Sequence, residues 1–122
     1  MNNWRVLVVE DDPDGREVLT RILRHHDIIV EVAPSAEEAL EMLSKQRYSV
    51  VIVDLALPRV SGWELLQTIR ASPDTTDLPC VAVTAYHSAE VAVKAIAAGF
   101  KAYFPKPLEA TSFVRELERT LS

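Results

Sequence analysis

Short apolar runs alternate with longer amphipathic segments along the whole chain. Five runs are rich in β-branched or aromatic residues and are predicted to be strands, at residues 4–9, 28–32, 49–54, 79–84 and 101–104. The segments that follow them have the apolar spacing of amphipathic helices, at residues 14–26, 35–46, 61–72, 88–99 and 109–121. The sequence therefore repeats a strand–helix unit five times.

This repetition restricts the fold. The predicted strands at 4–9, 49–54 and 79–84 are nearly continuous apolar runs, which is typical of strands covered by helices on both faces. Parallel strands joined by right-handed helical crossovers predict an α/β fold of the flavodoxin-like, doubly wound (βα)5 type, with strand order 2-1-3-4-5. We expect one domain over residues 1–122, a length that suits one hydrophobic core.

Composition and charge exclude several functions. A formal net charge of -5 argues against direct nucleic-acid binding, because contacts with a phosphate backbone need clusters of Lys and Arg. No run approaches the roughly 18 apolar residues of a membrane span, and the N-terminus lacks the pattern of a signal peptide, so no membrane association is expected. Cys80 is the single cysteine and cannot form an internal disulfide, so we expect a cytoplasmic protein.

Acidic residues follow the first and third predicted strands. Glu10, Asp11 and Asp12 come directly after "VLVV", and Asp54 ends "VVIVD". Ligands of a doubly wound sheet bind beyond the carboxyl ends of its strands, where the strand order reverses. These carboxylates are therefore expected to share one crevice, although Asp12 could instead cap the helix that follows it.

A divalent metal would offset the repulsion among such carboxylates, and oxygen ligands of this kind suit Mg²⁺. A carboxylate in this setting, such as Asp54, can also attack a phosphoryl group and form an acyl phosphate. Thr84 ends the fourth predicted strand, and Lys106 follows the fifth between two prolines. Their hydroxyl and ammonium groups would meet the added negative charge.

Four stretches resemble, in order and spacing, the receiver domain of two-component response regulators, over essentially the whole chain: "VLVVEDDP", "VIVDLALPRVSGWELL", "VAVTAY" and "AGFKAYFPKPL". The resemblance implies a phosphorylation-dependent switch and not an enzyme, apart from self-catalysed phosphoryl transfer and slow autodephosphorylation. It implies a sensor histidine kinase or phosphotransfer protein as phosphodonor, an unidentified downstream effector, and Mg²⁺ as cofactor, with Mn²⁺ as an alternative ion. The expected state is a monomer or a weak phosphorylation-dependent dimer.

The same resemblance implies a role for each site residue. Asp54 would be the phosphoacceptor, and Lys106 would pair with the phosphoryl oxygens. Thr84 and Tyr103 would change position on phosphorylation and alter the surface of helix 4, strand 5 and helix 5. The metal ion would be bound by the carboxylates of Asp11 and Asp54, by the backbone carbonyl of Ala56 and, through water, by Glu10.

Two positions that tune water access to the acyl phosphate in this family are Ala56 and Tyr86. Alanine offers no polar group to orient water, and a tyrosine ring can shield the site. We therefore expect the acyl phosphate to be hydrolysed more slowly than in the fastest members of the family. Lys101 and Ala102 stand where dimerising DNA-binding relatives often carry two acids, which argues against a dimer of that kind.

Three other functions have different sequence requirements. A phosphatase of the haloacid dehalogenase class needs a second Asp at the position of Ala56, so the sequence disfavours that class. A flavodoxin-type flavin carrier needs a phosphate-binding loop at the position of the three acids, so it is disfavoured as well. The remaining alternative is a receiver-like docking adaptor that works without phosphorylation.

Overall fold

A computed structural model describes residues 3–121 of the chain. Strands and helices alternate in that range, five of each, with the following bounds in chain order: β1 (Arg5–Val9), α1 (Pro13–His25), β2 (Ile29–Ala33), α2 (Ala36–Lys45), β3 (Val50–Asp54), α3 (Gly62–Ala71), β4 (Cys80–Thr84), α4 (Ala89–Ala98), β5 (Ala102–Pro105) and α5 (Ala110–Leu121). No helix within this range is both long enough and apolar enough to cross a membrane.

The strands form one parallel sheet in the order β2-β1-β3-β4-β5, so the predicted flavodoxin-like topology is confirmed. Strand β1 pairs with β2 on one side and with β3 on the other. The chain therefore reverses its direction of winding between β1 and β3. The carboxyl ends of these two strands meet at the crevice where a ligand of such a sheet is expected.

Each central strand contributes side chains to two cores, because successive residues point to opposite faces of the sheet. On one face, Val6 and Val8 of β1 pack with Leu19, Leu23, Phe113 and Leu117 of α1 and α5. On the other face, Leu7 and Val9 pack with residues of α2, α3 and α4. This two-sided burial explains the continuous apolar runs of β1, β3 and β4.

Side chains that accept hydrogen bonds from backbone N–H groups fix four of the helix starts. Asp12 accepts from Gly15 N–H at 3.1 Å, so Asp12 is the N-cap of α1. Ser61 and Glu64 satisfy each other's backbone N–H groups at the start of α3. Ser35 and Ser88 cap α2 and α4 in the same way. The turns that follow the carboxyl ends of the strands are thereby fixed.

Gly62 allows the first turn of α3 to lie directly against the end of β3. A Cβ at this position would be 2.6 Å from the carbonyl oxygen of Asp54 and 2.8 Å from Cα of Leu55. Both neighbours are backbone atoms of a buried strand end, so neither can move aside easily. The contact therefore helps to hold the backbone of Asp54 in place.

Replacing Gly62 with alanine is expected to lower the free energy of unfolding by about 1–3 kcal/mol, because the added methyl overpacks the end of β3. Alanine usually favours a helix over glycine by about 1 kcal/mol, so a glycine-to-alanine change in a helix usually raises the free energy of unfolding; here we expect it to fall. Urea denaturation would measure this change in the free energy of unfolding. Gln67→Ala, at an exposed position of the same helix, should change stability by less than about 0.5 kcal/mol. A more stable Gly62→Ala protein would contradict the close packing.

Candidate functional site

Three carboxylates meet at the carboxyl ends of β1 and β3. Glu10 and Asp11 directly follow β1, and Asp54 is the last residue of β3. Oxygens of the three carboxylates lie within 4.8 Å of one another. Glu10 and Asp54 are 1% and 6% exposed, whereas Asp11 is open to solvent. The convergence expected from strand order is therefore present in the structure.

Lys106 links two of these carboxylates. Its Nζ donates to Oε1 of Glu10 and to Oδ2 of Asp54, the latter at 3.2 Å. The backbone N–H of Lys106 donates to the carbonyl of Thr84 at 2.9 Å, which ties the end of β5 to the end of β4. Burial alone would lower the pKa of Lys106, but the hydrogen bond to Glu10 and the charges of both acids raise it above its ordinary value. Lys106 therefore remains an ammonium ion.

Glu10 is the most enclosed member of the site. Its Oε1 accepts from Lys106, and its Oε2 accepts from the backbone N–H of Asp12 at 3.3 Å. Burial is the largest cause that raises the pKa of Glu10 to about 7; the neighbouring Asp54 adds to the rise and Lys106 opposes it. Near neutral pH, without a bound cation, the Glu10 carboxyl is therefore partly protonated.

Asp54 has both carboxylate oxygens engaged. Oδ1 accepts from the backbone N–H of Ala56 at 2.9 Å, and Oδ2 accepts from Lys106. Ala56 itself is exposed in the turn after β3. A carboxylate fixed in this way can act as a nucleophile or as a metal ligand.

The hydroxyl of Thr84 lies at the end of β4 and is almost fully buried. Its Oγ1 accepts from the backbone N–H of Tyr86 at 3.1 Å. The side chain of Tyr86 is 76% exposed. The loop after β4 is thus tied to the threonine hydroxyl by one local hydrogen bond.

Two contacts at the edge of the site had no signal in the sequence. Tyr103 is half-buried on β5, and its hydroxyl hydrogen-bonds with Nδ1 of His87 at 2.9 Å. The guanidinium of Arg16 donates to the carbonyls of Glu10 and Asp11 at 3.1 and 3.0 Å. Both contacts join separate segments through exposed or partly exposed polar groups, and such groups have no periodic pattern in a sequence.

The carboxylate oxygens in this crevice are suitable ligands for a hard divalent cation. All three ligating groups that converge are carboxylate oxygens, with no sulfur or imidazole among the described residues of the cluster. Mg²⁺ prefers oxygen ligands and commonly binds through one or two carboxylates and several waters. The spacing and chemistry of Glu10, Asp11 and Asp54 agree with that preference.

The raised pKa of Glu10 predicts a pH effect on the metal-free protein. The folded state holds a proton that the unfolded chain releases above about pH 4.5, so this group's stabilising contribution is present below that pH and is lost as pH rises through about 7. Relative to Glu10→Gln, the wild-type protein should therefore lose melting temperature between pH 5 and pH 8. Thermal unfolding in a chelating buffer would measure the difference. The exposed variant Glu90→Gln is the control, and a pH-independent difference for Glu10→Gln would contradict the assignment.

Comparison with known proteins identifies relatives along almost the full chain. The family described as "Response regulator receiver domain" matches residues 6–118. A 14.6 kDa protein from Leptolyngbya boryana, described as uncharacterized, is 37% identical over 114 residues, which cover 93% of this chain and 87% of that protein. Response regulator MprA from Mycobacterium ulcerans is 35% identical over 117 residues, which cover 96% of this chain.

The chain spans 50% of the length of MprA. Among solved structures, it resembles the receiver domain of sensor histidine kinase PA1611 from Pseudomonas aeruginosa, with a TM-score of 0.88 and 27% identity over 97% of each chain. That structure is described with a magnesium ion coordinated in the active-site cleft. The family match, the shared fold and the acidic crevice agree, and the chain belongs to the response regulator receiver domain family.

Proposed function

We propose that this chain is a phosphorylation-dependent signalling switch that accepts a phosphoryl group on Asp54 from a histidine kinase or a phosphotransfer protein. The observation that most supports this function is the meeting of Glu10, Asp11 and Asp54 with the ammonium of Lys106 in one crevice. Family membership supports a signalling switch and not a classical enzyme.

The carboxylates of Glu10, Asp11 and Asp54, with the backbone carbonyl of Ala56, would hold Mg²⁺, and Mn²⁺ would use the same oxygen ligands. The bound ion would offset the negative charge that gathers when a phosphoryl group approaches. Asp11 is the exposed acid, which suits direct ligation, and the enclosed Glu10 suits contact through water. The magnesium in the Pseudomonas receiver domain supports this assignment.

In the proposed reaction, a carboxylate oxygen of Asp54 attacks the phosphorus of a phosphohistidine. The new phosphorus–oxygen bond forms as the phosphorus–nitrogen bond breaks, and the leaving imidazole takes up a proton. Lys106 already contacts Asp54, so its ammonium is in position to pair with the incoming phosphoryl oxygens. The product is an acyl phosphate on Asp54.

Phosphorylation would then act on the neighbouring strands. The Thr84 hydroxyl would release the N–H of Tyr86 and turn toward the phosphoryl group, which would move the loop between β4 and α4. Tyr103 lies on β5, beside β4, and is tied to that same loop through His87, so its position would follow the loop. The surface of α4, β5 and α5 would carry the change to a downstream effector, with the chain as a monomer or a weak phosphorylation-dependent dimer.

A docking adaptor that works without phosphorylation is the second candidate. Within the described range, every buried side-chain nitrogen or oxygen has a hydrogen-bond partner. Lys106 in particular is satisfied by Glu10 and Asp54 without any phosphoryl group. A site whose buried polar groups are all paired without a phosphoryl group is compatible with a docking surface that does not depend on phosphorylation.

Incubation with Mg²⁺ and a small phosphodonor such as acetyl phosphate separates the two functions. Intact-mass measurement is expected to show one added phosphoryl group on the wild-type protein and none on Asp54→Asn, because the amide is not a nucleophile of this kind. Asp12→Asn keeps a good helix cap and should still be modified. Absence of any adduct on the wild-type protein would favour the docking adaptor.

The exposed alanine at position 56 and the tyrosine at position 86 predict a slow loss of the phosphoryl group. No polar side chain at position 56 orients water toward Asp54, so the acyl phosphate should persist for longer than seconds after the phosphodonor is removed. The decay of the phosphorylated mass measures the lifetime. An Ala56→Asn protein, which supplies an amide there, should lose the group faster. Hydrolysis of the wild-type adduct within seconds would refute this prediction.

A further inference from the structure

We propose that Gly15, in the first turn of α1, is a positioning residue. Because it has no side chain, the Glu10 carboxylate has room to accept its hydrogen bond from Lys106. The inference concerns the metal-free structure directly, and it rests on the proposed function only for its effect on Mg²⁺ binding.

The closest approach is to the functional end of Glu10. A Cβ at Gly15 would lie 2.8 Å from Oε1 of Glu10, 3.0 Å from its Cδ and 3.2 Å from its Cγ. Oε1 is the same oxygen that accepts from Lys106 Nζ. A methyl group at position 15 would therefore overlap the atom that joins β1 to the lysine after β5.

The Glu10 side chain cannot move away from position 15 without losing hydrogen bonds. Its side chain is 1% exposed, and each carboxylate oxygen has a partner, Lys106 for Oε1 and the N–H of Asp12 for Oε2. A shift away from position 15 would break one of these hydrogen bonds inside the protein, where an unpaired carboxylate oxygen is costly. The clash would therefore change the site and not merely rotate a free side chain.

The length of the side chain at position 10 decides whether the space is needed. Glutamate reaches one methylene further than aspartate, and that extra length brings the carboxylate beside Gly15. An aspartate at position 10 lacks the two atoms that come nearest, Oε1 and Cδ, so only the 3.2 Å approach to Cγ would remain for a methyl group at position 15. Positions 10 and 15 are therefore expected to depend on each other, with a long acid requiring the glycine.

The dependence extends to the phosphoacceptor because Lys106 donates to Glu10 and Asp54 together. If Glu10 is displaced, the ammonium loses one of its two anchors, and one carboxylate of the three-acid cluster leaves its place. Gly15 thus acts on the site through Glu10, without itself touching Asp54 or Lys106 in this scheme.

A set of six proteins tests the inference: glycine or alanine at position 15, each combined with glutamate, aspartate or glutamine at position 10. Glutamine has the length of glutamate without its charge, so it separates a size effect from a charge effect. Melting temperatures are measured in a chelating buffer, and Mg²⁺ affinity is measured by calorimetry for the proteins with an acid at position 10.

With glutamate or glutamine at position 10, Gly15→Ala should lower the melting temperature by about 3 °C or more. With aspartate, the same substitution should lower it by much less, or raise it, because the two shortest contacts are absent and alanine favours the helix. Gly15→Ala should weaken Mg²⁺ binding about threefold or more beside Glu10, and less than about twofold beside aspartate. Failure of Gly15→Ala to fold, with rescue by Glu10→Asp, would also support the coupling.

Equal shifts of melting temperature in all three backgrounds would overturn the inference, as would a failure to fold that Glu10→Asp does not rescue. The melting series needs neither metal nor phosphodonor. A wild-type protein that takes up no phosphoryl group would therefore count against the proposed switch alone, and the melting series would still decide the role of Gly15.

Discussion

The ammonium of Lys106 between Glu10 and Asp54 is the interaction on which the rest of the site depends. Two carboxylates that are almost fully buried a few ångströms apart would repel each other strongly if both were charged. The lysine offsets that repulsion, while burial, and to a lesser extent the neighbouring Asp54, keeps the pKa of Glu10 above its ordinary value. In the metal-free crevice, a single ammonium therefore holds two buried carboxylates close together.

The sheet supplies this arrangement through backbone contacts at strand ends. Glu10 follows β1, Asp54 ends β3, and Lys106 is tied by its N–H to the carbonyl of Thr84 on β4. Gly62 brings α3 against the backbone of Asp54 from the next element along the chain. The positions of the carboxylates and of the ammonium are thus set by strands that are buried on both faces of the sheet.

The sequence predicted the sheet order and the convergence of the acids because both follow from hydrophobic periodicity and parallel-strand topology, which are encoded residue by residue. It left Asp12 between two roles, and the structure shows it as the N-cap of α1. The His87–Tyr103 hydrogen bond and the contacts of Arg16 with two carbonyls were not predictable. They depend on side-chain conformations between segments, and the free space beside Gly15 is likewise a property of the packed protein.

The two hydrogen bonds of Lys106 join residues that are 96 and 52 positions apart in the chain. Contacts this distant in sequence form only after the intervening segments have found their places, and β5 occupies the outer edge of the sheet. A chain folded only as far as β4 would present Glu10 and Asp54 without their cation. The cluster of two buried carboxylates and one ammonium is therefore complete only once β5 is in place, and a chain still being synthesised would lack the cation between Glu10 and Asp54.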